Sequence, residues 1–144
     1  MSRDPIGAWI GEYFRCWREK DSETLGRLFT PDAVYYSAPF REPHRGTTEI
    51  LAYWERATAT QVGLEIRLGS TIQQGNRASV EWWAAWTEKG KGVTLLGCLV
   101  LQFAPDGRCE ELREYWQMED QIRPPPEEWN GRKTAAERFS RSTT

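Results

Sequence analysis

The sequence predicts one α+β domain, with helices packed on one face of a curved antiparallel sheet that encloses an aromatic-lined pocket. Three observations carry the helix-and-sheet part of this reading. Apolar residues recur at helical spacing in the first part of the chain; from residue 64 the period changes to two; and four such runs follow one another across short turn signals, the mark of a meander. A length of 144 residues suits a single core.

Asp4 is a good N-cap and Pro5 suits the first helical position, where no backbone donor is needed. Ile6, Trp9, Ile10, Tyr13, Phe14 and Trp17 then mark one buried helix face. Asp21 and Glu23 sit where a second helix would begin, with Leu25, Leu28 and Phe29 as its apolar stripe and Thr30-Pro31-Asp32 as its stop. Residues 33–38 read as a short strand, and the stretch holding Phe40, Pro43, His44 and Gly46 as a loop. Thr47 is placed to cap a third helix whose buried face carries Ile50, Tyr53, Trp54 and Ala57.

Beyond it, Leu64, Ile66, Leu68 and Ile72 alternate with polar residues along a half-buried strand. Gly75-Asn76, Lys89-Gly90-Lys91-Gly92 and Pro105-Asp106-Gly107 separate it from strands expected at 78–87, 93–103 and 109–119. The folded domain is expected to span 1–123. A tail over 124–144 opens with three prolines, which must be extended; residues 134–141 form either a short helix against a partner or part of a loose terminus.

Composition narrows the function. Nineteen basic and 21 acidic side chains give a net charge of -2, unlike the basic excess of a nucleic-acid binder. No apolar run approaches the roughly 20 residues needed to span a bilayer. The opening Met-Ser-Arg-Asp-Pro lacks the pattern of a secretory leader, and three scattered cysteines read as reduced thiols, so a cytoplasmic protein is expected. A single histidine and unclustered cysteines argue against a metal site, and no phosphate, nicotinamide or flavin fingerprint is present; no cofactor is expected. Eight tryptophans exceed what a core of this size requires. They fill the core, build an interface or line a pocket.

Three stretches resemble the nuclear transport factor 2-like superfamily, the cone-shaped fold of ketosteroid isomerases and SnoaL-like polyketide cyclases. They are Leu28 to Val34, His44-Arg45-Gly46 before the helix ending in Tyr53-Trp54, and Phe103 through Asp106-Gly107-Arg108 to Trp116. The resemblance covers about residues 5 to 119 and implies the cone fold, a pocket and a homodimer joined sheet to sheet. Steroid isomerases use an aspartate base and an oxyanion hole of a tyrosine and a protonated aspartate. By this resemblance the tyrosine is Tyr13, the base position falls on Ser37, the oxyanion aspartate falls on Leu99, and a pocket-wall tryptophan matches Trp116. Serine and leucine cannot do the work of those aspartates, so steroid isomerase chemistry is not expected.

Strand alternation puts Glu114 on the same face as Trp116. A carboxylate among indole and phenol rings would be desolvated and its pKa raised toward an acid/base range; the alternative is a surface or paired glutamate. Trp82 and Trp86 face the pocket by the resemblance, which sends Glu81 outward, toward an arginine such as Arg113. His44 either carries protons at the pocket mouth or tethers its loop. Tyr13 and Trp17, one turn apart, donate into the cavity or simply pack; Tyr35 and Ser37 share a strand face and can offer hydroxyls. The expected site thus has Glu114, Tyr13 and His44 as candidate acid/base groups, with Trp17, Tyr35, Ser37, Tyr53, Trp82, Leu99 and Trp116 around the ligand. The outer face, with Glu81, Trp83, Arg113 and Tyr115, is aromatic enough to meet a partner. Three functions remain open: binding of a small, largely apolar ligand; cofactor-free isomerisation, cyclisation or hydration with Glu114 as acid/base; and a dimeric protein-interaction module.

Overall fold

The computed structural model describes residues 4–129. Helix α1, Pro5–Glu19, starts as expected: the Asp4 carboxylate accepts the Gly7 N–H at 2.9 Å, and Trp9, Ile10, Tyr13, Phe14, Cys16 and Trp17 are buried. Lys20 closes it in the left-handed conformation, φ 55°. Helix α2, Ser22–Arg27, is capped by Asp21, which accepts the Thr24 N–H at 3.1 Å. It is shorter than the sequence pattern implies. The Leu28 carbonyl is taken by the Trp9 indole N–H at 2.7 Å and the Cys109 N–H at 2.9 Å, and Phe29 already belongs to strand β1, Phe29–Tyr36.

Strand β1 therefore begins four residues before the expected strand and runs through Pro31. That proline lies where the pairing of β1 with the last strand shifts register, between Phe29 and Val34. A residue without an N–H is tolerated at such an irregularity. The expected loop around His44 is in part a two-residue strand, β2, His44–Arg45, which pairs antiparallel with β1. Helix α3, Gly46–Thr58, follows directly, with Arg45 rather than Thr47 at its N-cap. Glu49, in the first turn, accepts the Arg45 N–H at 2.8 Å.

The meander is present as β3 (Gln61–Gln74), β4 (Arg77–Glu88), β5 (Lys91–Phe103) and β6 (Cys109–Glu119). The full sheet is not purely antiparallel: its order is β2-β1-β6-β5-β4-β3, and β1 pairs parallel with β6. The sheet is open, with β2 and β3 as its edges. Strand β3 corrects the simple alternation expected for it. Register shifts between Val62 and Glu65 and between Leu68 and Thr71 each add a residue, and a one-residue slip reverses the faces. Leu64 and Ile66 pack on the core, whereas Val62 and Ile72 are exposed.

On β4, Ala78, Val80, Trp82, Ala84 and Trp86 point inward and Glu81 outward. Trp82 pairs with Gly97 and Gly97 with Trp116, so these three form one row across the sheet; Val80, Leu99 and Glu114 form the next. Arg113 bonds Glu111 at 3.3 Å and lies 4.2 Å from the Tyr36 ring centroid.

After Glu119 the chain turns back over the outer face of the sheet. Thr94 donates to the Gln121 carbonyl at 2.7 Å and accepts the Arg123 N–H at 2.8 Å; the Trp83 indole donates to the Arg123 carbonyl at 2.8 Å. Trp129 meets the Trp83 ring edge-on at 5.5 Å. Part of the aromatic outer face is thus covered by the chain's own segment. The helix considered for 134–141 lies outside the described residues, among which no helix is long and apolar enough to cross a membrane.

Candidate functional site

Helix α1, strand β1 and strand β6 each deliver one oxygen-bearing side chain to a common point inside the cone. Tyr35 donates to Glu114 Oε1 at 2.5 Å, and the Tyr13 and Tyr35 hydroxyls lie 2.7 Å apart. Tyr13 also approaches Oε1, at 3.5 Å. Tyr13 and Tyr35 are each 1% exposed. Glu114 keeps some accessible surface and lines the cavity, so an occupant can reach it.

Burial governs the electrostatics here. It pushes the Glu114 carboxyl up to about 7, although hydrogen bonds from Tyr35 and Tyr13 pull the other way. The same burial, reinforced by the neighbouring Glu114 charge, holds both phenols well above their ordinary range. Near neutral pH the tyrosines stay protonated while Glu114 is present in both forms.

The cavity beside this cluster is about 70 Å³. Tyr13, Phe14 and Trp17 of α1 form one wall; Tyr53, Trp54, Ala57 and Thr58 of α3 form another; the sheet adds Tyr35, Gln61, Trp82, Trp86, Leu95 and Leu99. The rings meet edge to face: Tyr13 on Trp54 at 5.4 Å, Trp17 on Trp82 at 5.3 Å and on Trp54 at 6.0 Å. Larger hollows of about 250–330 Å³ lie on either side of the C-terminal segment and beside α2. None of them contains the carboxyl and its phenols.

Seven of the residues expected at the site therefore line one cavity: Glu114, Tyr13, Trp17, Tyr35, Tyr53, Trp82 and Leu99. The other three stand behind it. Trp116 is half-buried and donates its indole N–H to the Ser37 carbonyl at 2.7 Å. Ser37 is buried, with Oγ 3.3 Å from His44 Nε2. His44 stacks on Tyr53 at 4.3 Å, and burial together with nearby Arg56 lowers its pKa below the usual value. It braces the Tyr53 wall and does not itself line the cavity.

Sequence reasoning missed Gln61, whose Oε1 accepts the Trp17 indole N–H at 2.8 Å. It precedes the expected start of its strand, and no periodic signal marks it. Phe14, Trp54 and Leu95 carry only a core signature in the sequence. Among the described residues no group of three His, Cys, Asp or Glu side chains is arranged to hold a metal.

Comparison with known proteins agrees with this architecture. A family model described as a SnoaL-like domain matches residues 10–112. No curated protein matches the sequence. Among solved structures, the chain is similar to SalBIII, an epoxide hydrolase/cyclase-like enzyme of pyran ring formation in the polyether salinomycin, with 20% identity and a TM-score of 0.71 over 79% of this chain and 94% of that one. It is also similar to RV0760c from Mycobacterium tuberculosis in complex with estradiol-17beta-hemisuccinate, with 16% identity and a TM-score of 0.71 over 80% and 98% of the two chains. An LEH-like epoxide hydrolase from the same organism gives 19% identity and a TM-score of 0.65, over 76% and 80%. At these identities the likeness is one of fold.

Proposed function

The chain belongs to the SnoaL-like domain family, and from that premise we propose that its cavity binds one small, largely apolar molecule, held by a single polar group against Glu114. The observation that carries this is the Glu114 carboxyl itself. Burial of an ionisable group costs free energy, yet this one sits beside a cavity with Oε1 engaged by Tyr35 and Oε2 left for an occupant. A core built only for stability has no use for that arrangement. The complex of RV0760c with estradiol-17beta-hemisuccinate supports a small-molecule binding role for the fold. The expected homodimer belongs to this proposal too, through the part of the outer face around Tyr115, which is exposed among the described residues.

Ligand-observed NMR with phenol, cyclohexanone and cyclohexene oxide tests the reading. At least one should show saturation transfer from the native protein, and Ala57→Phe, which fills the cavity, should abolish it. Undiminished transfer in the filled variant would place binding elsewhere.

A second reading is favoured by the Glu114 pKa of about 7: general acid–base catalysis without a cofactor. The protonated carboxyl would donate to a developing alkoxide, as in opening an epoxide, and the carboxylate would recover a proton from the attacking hydroxyl. SalBIII is an epoxide hydrolase/cyclase-like enzyme and the Mycobacterium tuberculosis protein an LEH-like epoxide hydrolase, which supports epoxide opening as the reaction to test. Conversion of cyclohexene oxide to its diol, lost in Glu114→Gln, would support catalysis; no conversion above the buffer rate leaves binding as the function.

A further inference from the structure

The wall of the cavity carries an uneven set of polar groups. Its one ionisable acid is Glu114, and no Lys, Arg or His lines it. An anionic ligand would meet no counter-charge there. Most wall donors are already committed. Tyr35 donates to Glu114, the Trp17 indole to Gln61 and the Thr58 hydroxyl to the Trp54 carbonyl at 2.8 Å. The Trp54 and Trp82 indole N–H groups have no protein partner, but both nitrogens are covered and reach no occupant. The cavity offers chiefly aromatic rings, set at right angles to one another, and one carboxylate oxygen.

That combination recognises positive charge. A cation is drawn to the negative faces of indole and phenol rings, most strongly where water is excluded, and a carboxylate supplies the formal counter-charge. We infer that the cavity receives the ammonium head of a small organic amine or quaternary ammonium compound, boxed by Trp17, Trp54, Trp82 and Tyr53 and paired with Glu114. Size fits a head group of this kind: about 70 Å³ is well below the few hundred Å³ typical of sites that enclose a drug-sized ligand.

The inference rests on the proposed binding role and deepens it by naming the ligand's charge. It also fixes a pH dependence. Glu114 is faced by Tyr13 from α1, Tyr35 from β1, Tyr53 from α3 and Leu99 from β5; the Tyr53 ring in turn stacks on His44, and Arg41 and Arg56 act on it electrostatically. The phenols stay neutral across the physiological range, so Glu114 alone sets the charge. A cation binds its ionised form and expels a proton, so with a pKa of about 7 the affinity should rise about tenfold from pH 6 to pH 8.

The test is a titration of tryptophan fluorescence with choline chloride, matched in ionic strength with sodium chloride, against 3,3-dimethylbutan-1-ol, the neutral carbon isostere of choline. The expected result is saturable binding of choline at least tenfold tighter than its isostere, tightening with pH and lost in Glu114→Gln. Trp17→Leu, which removes a ring and no charge, should also weaken choline. Equal or better binding of the isostere would overturn the inference while leaving the binding role in place. Failure of choline, the isostere and the three neutral NMR probes alike would overturn both.

Discussion

Glu114 carries its electrostatic cost into the stability of the protein. Its folded-state pKa, about 7, lies above the ordinary 4.5, so between those values the folded protein holds a proton that the unfolded chain has released. Stability therefore falls as pH rises through that window, by roughly 3 kcal/mol at full ionisation. Glu114→Gln removes the charge at every pH while keeping an oxygen for Tyr35. Urea denaturation should find this variant about 3 kcal/mol more stable than the native protein at pH 8 and nearly equal to it at pH 4.5. A gap that does not change with pH would contradict a buried, titrating Glu114. Asp21 works in the opposite direction and in a separate window. Its pKa is lowered to about 2, first by its hydrogen bonds to Thr24 and then by Arg15, so its contribution is present above 3.8 and lost as pH falls through 2. At this scale part of the cluster was legible: strand alternation put Glu114 on the face of Trp116, with a surface or paired glutamate as the alternative, and the family resemblance put a tyrosine, Tyr13, on the first helix. Gln61 was not, because its position follows from a bulge next to Gly63 and from a partner 44 residues away.

Among the elements, the row Trp82–Gly97–Trp116 shows how the sheet shapes the cavity. Gly97 is present because the Trp82 ring lies across it: a Cβ there would fall 2.3 Å from the indole. Gly97→Ala must push Trp82 off β5 and into the cavity, an overpacking that costs about 1–3 kcal/mol. Thermal denaturation should show the loss, and any ligand found for the native protein should bind more weakly. An unchanged melting temperature would mean that Trp82 does not hold this position. The helices and the β3–β6 meander follow from local pattern and were read nearly to their ends. Strand pairing between β1 and β6 was not, since it joins Phe29 to Cys109 and Tyr35 to Leu112 across the chain, and period-two alternation says nothing about which strand lies next door. The same blindness applies to β2, whose two residues are too few for a period and exist as a strand only because Val34 and Tyr35 lie beside them.

For the whole molecule, the aromatic surplus serves the interior and the outer face in different ways. Inside, rings from α1, α3 and the sheet form one continuous box around Glu114. Outside, Trp83 is met by the chain's own Arg123 and Trp129, a covering that composition alone could not distinguish from a partner's. The central claim is that folding brings Tyr13, Tyr35 and Glu114 together from three distant parts of the chain and, by burying them, turns an ordinary carboxyl into a neutral-range acid. The measurement that tests it most directly is a ¹³C NMR titration of the glutamate side-chain carboxyls, with the Glu114→Gln variant assigning the resonance. The account predicts one glutamate with a midpoint near 7 that disappears in the variant. A Glu114 midpoint near the ordinary 4.5 would contradict it and remove the chemical basis for the site.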